Sequence, residues 1–249
     1  MDLQIAPITH TGMPSTLCKR LQKFSNGANE LLTIMPTATP TQLTKPTESQ
    51  LAEYKEAAKQ WAQERLADQD TVIVDLESTG LLSKDPETEI VQICILNMQG
   101  RPLFNMLLKP AQPMSEEVIA IHRIQNEQVV NQPIFPQVAK LIAFILENKH
   151  VVCFNADFDI RLLWHMFKKY KQTLPKVKDT SCCMDKYSEW TGEWNSKKEG
   201  FKWQKLPNFL GEESHDAYND CRNTLLTMKK MAGMYDEKST AESDISLDF

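Results

Sequence analysis

At 249 residues the chain can hold one large domain or two small ones. Its 41% hydrophobic and 24% charged residues are ordinary for a soluble globular protein, and no apolar run approaches the length of a membrane span. A net charge of −5 argues against a generic DNA-coating protein.

The chain opens Met1-Asp2-Leu3-Gln4-Ile5, with neither a basic start nor an apolar core, so a cytoplasmic protein without a secretory signal is expected. Residues 1–46 are poor in aromatics and rich in Thr and Pro, and Met35–Thr41 reads as linker, so a flexible N-terminal extension is predicted. Ser15 could cap a short helix carrying Leu17, Leu21 and Phe24, which is marginal alone. Thr47-Glu48-Ser49-Gln50 has capping-box form after Pro46, and predicts an amphipathic helix through Leu51, Tyr54, Ala58, Trp61 and Leu66.

The period then changes. Thr71–Val74 is a β-branched run, as in a buried strand. Ile90–Leu96 and Pro102–Leu108 read as two further strands joined through Asn97-Met98-Gln99-Gly100. Helical patterns follow near Ser115–Ile121 and Pro136–Glu147. Val151–Phe154 is a second buried strand leading into a helix over about Asp157–Tyr170, and a last helix runs from His215 to about Gly233. The six cysteines include the neighbours Cys182 and Cys183 but no CxxC spacing, so reduced thiols are expected rather than disulfides or a zinc site. The result is a mixed α/β domain over 47–233, followed by an acid-rich flexible tail over 234–249.

Three acidic patterns stand at the junctions of these elements: Asp75-Leu76-Glu77-Ser78-Thr79-Gly80, Asn155-Ala156-Asp157-Phe158-Asp159 and His215-Asp216-Ala217-Tyr218-Asn219-Asp220. Asp75 and Glu77, two apart on a strand, point the same way at its carboxyl end, where open α/β sheets place ligands. Alone, such a pair is more often two solvated charges. Asp159 falls in the first turn of the following helix, while Asp157 stands nearer its start and could cap it. His215 precedes the last helix, which Ser214 could cap, and Asp220 lies on it. Four carboxylates suit hard divalent cations, and an imidazole suits a general base.

The three patterns resemble the motifs of the DnaQ-like 3′–5′ exonucleases, the DEDD superfamily that includes the proofreading subunit of bacterial replicative polymerase. The first is matched by Asp75, Glu77, Thr79 and Gly80, the second by Asn155, Phe158 and Asp159, and the third by His215, Ala217 and Asp220. Histidine five positions before the last aspartate marks the DEDDh branch. The sister branch has tyrosine four before, where this chain has Asp216. The similarity runs from about Ala57 to Ala232. It implies an RNase H-like mixed five-stranded sheet flanked by helices, two Mg2+ or Mn2+ ions held by Asp75, Glu77, Asp159 and Asp220, and His215 as base. It further implies release of nucleoside 5′-monophosphates from 3′ ends, with Ser78, Thr79, Gly80, His122 and Asn155 around the substrate. The family's Ile/Val-His-Gly stretch reads Ile121-His122-Arg123 here, so the glycine is replaced.

The expected substrate is DNA, single-stranded or frayed. RNA is the alternative within the fold, and a non-catalytic, polymerase-associated module the alternative outside enzymes. Between Lys186 and Lys205 aromatics and bases interleave, which suits either stacking on a single strand or cover for the core. The ending Asp244–Phe249 resembles the bacterial sliding-clamp-binding hexapeptide, with Asp244 in place of the usual Gln.

Overall fold

The computed structural model describes residues 44–211 and 215–235. The predicted helix over 15–24, the 35–41 linker, the Ser214 cap and the Asp244–Phe249 motif lie outside the described residues. Among those described, no helix is long and apolar enough to cross a membrane.

The first helix, α1 (Glu48–Ala67), begins at the capping box read from the sequence. The Gln50 N–H donates to Thr47 Oγ1 at 3.3 Å and the Thr47 N–H donates to Gln50 Oε1 at 2.9 Å, a device worth about 1 kcal/mol. Three strands follow, β1 (Thr71–Ser78), β2 (Ile90–Asn97) and β3 (Pro102–Leu107), as an antiparallel meander. At the β2–β3 turn Gly100 takes φ +81° and its N–H donates to the Asn97 carbonyl at 3.0 Å.

The chain then crosses through α2 (Glu116–His122), the single-turn α3 (Asn126–Val129) and α4 (Phe135–Leu146) to β4 (His150–Cys153). From there α5 (Ala156–Lys169) leads to β5 (Asp179–Cys182). The rest is α6 (Cys183–Thr191), a two-stranded ribbon of β6 (Trp194–Asn195) and β7 (Gly200–Phe201), and α7 (Ala217–Ala232).

The main sheet has the order β3-β2-β1-β4-β5, with β1, β4 and β5 parallel and β2 reversed. This is the mixed five-stranded sheet flanked by helices that was expected. Alternation along β1 sorts the two helical layers. Val72, Val74 and Leu76 pack with Phe135, Ile142, Leu163 and Phe167 of α4 and α5. Ile73, on the other face, packs with Ala62 of α1 and with Cys221, Leu225 and Met228 of α7. The five described cysteines are free thiols, and burial pushes four of them, Cys153, Cys182, Cys183 and Cys221, upward in pKa.

Candidate active site

The parallel pairing of β1 with β4 reaches Ile73 opposite Val152, and β4 ends at Cys153. β1 runs on past this edge through Asp75, Leu76 and Glu77. Asp75 and Glu77 share the face of Ile73, the face covered by α7. Beyond the end of β4, the Leu76 backbone acts to lower the pKa of the Asp159 carboxyl, against the larger effect of burial. The second acidic pattern thus meets the first at the end of β1.

Asn155 occupies the N-cap position of α5, with no side-chain cap bond. Asp159 sits in the first turn and is 3% exposed. Asp157 does not cap the helix: it is exposed and pairs with Arg161 one turn on, at 3.4 Å. Helical spacing explains the difference, since residues two apart on a helix leave on opposite sides.

At α7 the N-cap is Asp216. The Asp216 carboxylate accepts from the N–H groups of Tyr218 and Asn219 at 3.1 and 3.0 Å. His215 takes φ +67° just before it, a left-handed conformation that costs a non-glycine residue roughly 1–2 kcal/mol. Such backbone strain concentrates at functional positions.

Gln92, which the sequence reading passed over, secures this helix start. It lies on β2 directly opposite Glu77 and is buried. Its Nε2 donates to Asp216 Oδ2 at 2.9 Å, and its Oε1 accepts from the Ala217 N–H at 3.1 Å. One amide therefore ties the start of α7, and with it His215 and Asp220, to the strand beside Glu77. The signal in the sequence was a single amide inside the apolar run Ile90–Leu96.

Asp75, Glu77, Asp159, Asp220 and His215 all line one cleft of about 900 Å3. Glu77, His215 and Asp220 offer ligand atoms within 4.8 Å of one another. Burial, followed by the neighbouring Asp220 and Asp159 carboxylates, pushes Glu77 up to about 8. Asp75 is raised well above the carboxylate range by burial and then by Asp159, Glu77 and Asp220. Burial also raises Asp159 and Asp220, with His215 acting against the shift at Asp220. An all-oxygen set of mutually repelling carboxylates fits a hard divalent cation, whose charge would relieve the repulsion.

Ser78, Gly80, His122 and Asn155 line the same cleft; Thr79 is not among its lining residues. The Thr79 hydroxyl accepts from the Glu89 N–H at 2.9 Å, and the Ser78 hydroxyl donates to the Gly80 carbonyl at 2.7 Å. Both hydroxyls thereby shape the turn after β1. Glu89 is itself buried and held by Lys169 at 2.9 Å and by the Tyr170 hydroxyl at 2.6 Å. The His122 imidazole is buried, which lowers its pKa, and its Nδ1 accepts from the Ile124 N–H at 3.1 Å. Arg123 ends α2 at φ +61°, the left-handed position that glycine usually fills. The loop keeps that shape without the glycine.

Residues 72–228 match the RNase_T family, described as an exonuclease family. The chain is 32% identical over 186 residues to an uncharacterized exonuclease, CP81, of Escherichia phage 186, covering 70% of this chain and 91% of that one. It is 28% identical over 118 residues to the DNA polymerase III subunit epsilon of Escherichia coli, covering 45% of this chain and 48% of the relative; the match thus spans about half the length of that subunit. Among solved structures, the nuclease domain of 3'hExo, a DEDDh family member bound to rAMP, aligns with a TM-score of 0.53 at 17% identity, covering 67% of this chain and 94% of that domain. That likeness is one of fold, and the fold is RNase H-like.

Proposed function

Since the chain belongs to the RNase_T exonuclease family, we propose that it removes nucleotides from the 3′ ends of DNA, with Asp75, Glu77, Asp159 and Asp220 holding two divalent cations and His215 as general base. The observation that carries this reading is the convergence of those five side chains in one cleft at the carboxyl edge of β1. Magnesium or manganese, when bound, would stabilise charge on the attacking and leaving oxygens.

The protein's own residues have distinct tasks on this reading. His215 stands at the exposed rim, where it can take a proton from water as the water oxygen attacks phosphorus. The bond from phosphorus to the 3′ oxygen breaks, releasing a nucleoside 5′-monophosphate and leaving a shortened strand. The turn Ser78-Thr79-Gly80, pinned through Thr79 to Glu89, is shaped to receive the terminal nucleotide between His122 and Asn155. Asp159, buried in the first turn of α5, and Asp220, held on a helix that Gln92 secures, keep their carboxylates in register with β1. Residues 47–233 form the catalytic unit, with 1–46 and 234–249 as extensions and Asp244–Phe249 as a sliding-clamp site. A DNA substrate and a polymerase partner are supported by the epsilon-subunit relatives.

Matched single-stranded DNA and RNA oligonucleotides in Mg2+ test the substrate. DNA should be degraded faster by about tenfold or more, as expected from the likeness to the epsilon subunits. RNA hydrolysed as fast as DNA would move the substrate assignment to RNA.

A further inference from the structure

We infer that Trp203, with Lys198 beside it, is a stacking platform for a base of the single strand upstream of the terminal nucleotide. The inference rests on the nuclease reading of the cleft. The aromatics between Lys186 and Lys205 separate into two groups. Tyr187 stacks on Trp190 at 5.9 Å, and Lys55 of α1 covers the Trp190 ring at 4.8 Å. Trp194 meets Phe201 edge-on at 5.6 Å, and Phe201 meets Tyr54 of α1 at 5.0 Å. These rings fix the β6–β7 ribbon and α6 against α1.

Trp203 stands apart from this packing. It is 58% exposed, and the Lys198 ammonium lies 5.1 Å from its ring centroid. The residues that follow it, Gln204, Lys205 and Leu206, all line the cleft that holds the acids. Three residues span at most roughly 11 Å even when fully extended, so the indole stands close to the cleft wall. A strand whose 3′ end enters the cleft would pass it on the way out.

The chemistry is matched on both parts of a nucleotide. An indole face stacks on any base, which gives affinity without sequence preference. An ammonium beside it can pair with the adjoining phosphate. Lys205 on the wall of the cleft supplies a second positive charge along the same path.

The full chain carrying Trp203→Ala or Trp203→Phe tests the platform against two substrates. One is an oligothymidylate of about twelve nucleotides, long enough to reach a site outside the cleft. The other is the p-nitrophenyl ester of thymidine 5′-monophosphate, which has no upstream base. Trp203→Ala should raise KM for the oligonucleotide about tenfold with kcat little changed. Trp203→Phe should restore most of the affinity, and ester kinetics should be alike in all three proteins. An oligonucleotide KM unchanged in the alanine variant, or an equal loss on both substrates, would overturn the platform. If wild type hydrolyses neither substrate, the nuclease reading fails by itself. Fluorescence anisotropy with the labelled oligothymidylate then decides the platform: binding about tenfold weaker in Trp203→Ala upholds it, and equal binding removes it.

Discussion

Replacing Asp75 with asparagine should lower nuclease turnover by about a thousandfold or more while leaving the fold intact. Asp75 is the acid whose carboxyl feels all three of the others, and it sits on the central strand of the sheet. Asparagine preserves its shape but withdraws the charge that a cation needs. The same substitution has a second, opposite consequence in the absence of metal. Glu77 is pushed up to about 8 from an ordinary 4.5, so the folded protein holds that proton more tightly than the unfolded chain. Its contribution to stability is favourable below pH 4.5 and is lost as pH rises through about 8. Metal-free wild type should therefore lose stability across that window. Asp75→Asn, which removes a second carboxyl raised by burial and by its acidic neighbours, should lose less of it. Thermal unfolding in chelator and in Mg2+ reads both effects. Magnesium should raise the midpoint of wild type much more than that of the variant. Wild-type turnover in Asp75→Asn, or equal stabilisation of both proteins by magnesium, would remove Asp75 from the metal site.

His215→Ala should depress kcat by about a hundred- to ten-thousandfold, the range expected for loss of a general base. Because its ring nitrogen lies within 4.8 Å of ligand oxygens on Glu77 and Asp220, two roles compete at this position. A base acts on turnover and pH dependence; a metal ligand acts on metal affinity. The expected result is a large fall in kcat, loss of the acid limb of the pH–rate profile and a nearly unchanged magnesium midpoint. A magnesium midpoint that rises in step with the fall in kcat would make His215 a ligand instead. The left-handed backbone at His215 adds a structural reason for choosing alanine with care. Alanine keeps a Cβ at this position, so it avoids the backbone relaxation that glycine would introduce.

Much of the site was legible because its geometry is local. The β-branched run at Thr71–Val74 marks β1, and the period of a strand then puts Asp75 and Glu77 on one face. The capping box at Thr47 and the turn at Asn97–Gly100 rest on backbone requirements that particular residues meet. What escaped the sequence depends on partners distant along the chain. β5, Asp179-Thr180-Ser181-Cys182, is a strand because β4 offers it a parallel ladder; its own residues are too polar and too few to announce it. Gln92 looks like an interruption of an apolar strand until Asp216, 124 residues away, meets it. The same Asp216 carboxylate caps α7. The β6–β7 ribbon pairs two residues on each side and is held by Tyr54 of α1, so no periodic pattern could reveal it.

The most direct measurement of the central claim uses one single-stranded DNA labelled either at its 5′ end or at its 3′ end, incubated with the full chain in Mg2+. The account predicts that the 3′ label leaves at once as a nucleoside 5′-monophosphate, while the 5′ label persists in a ladder that shortens one nucleotide at a time. Early release of the 5′ label as a mononucleotide, or fragments from internal cuts, would contradict it.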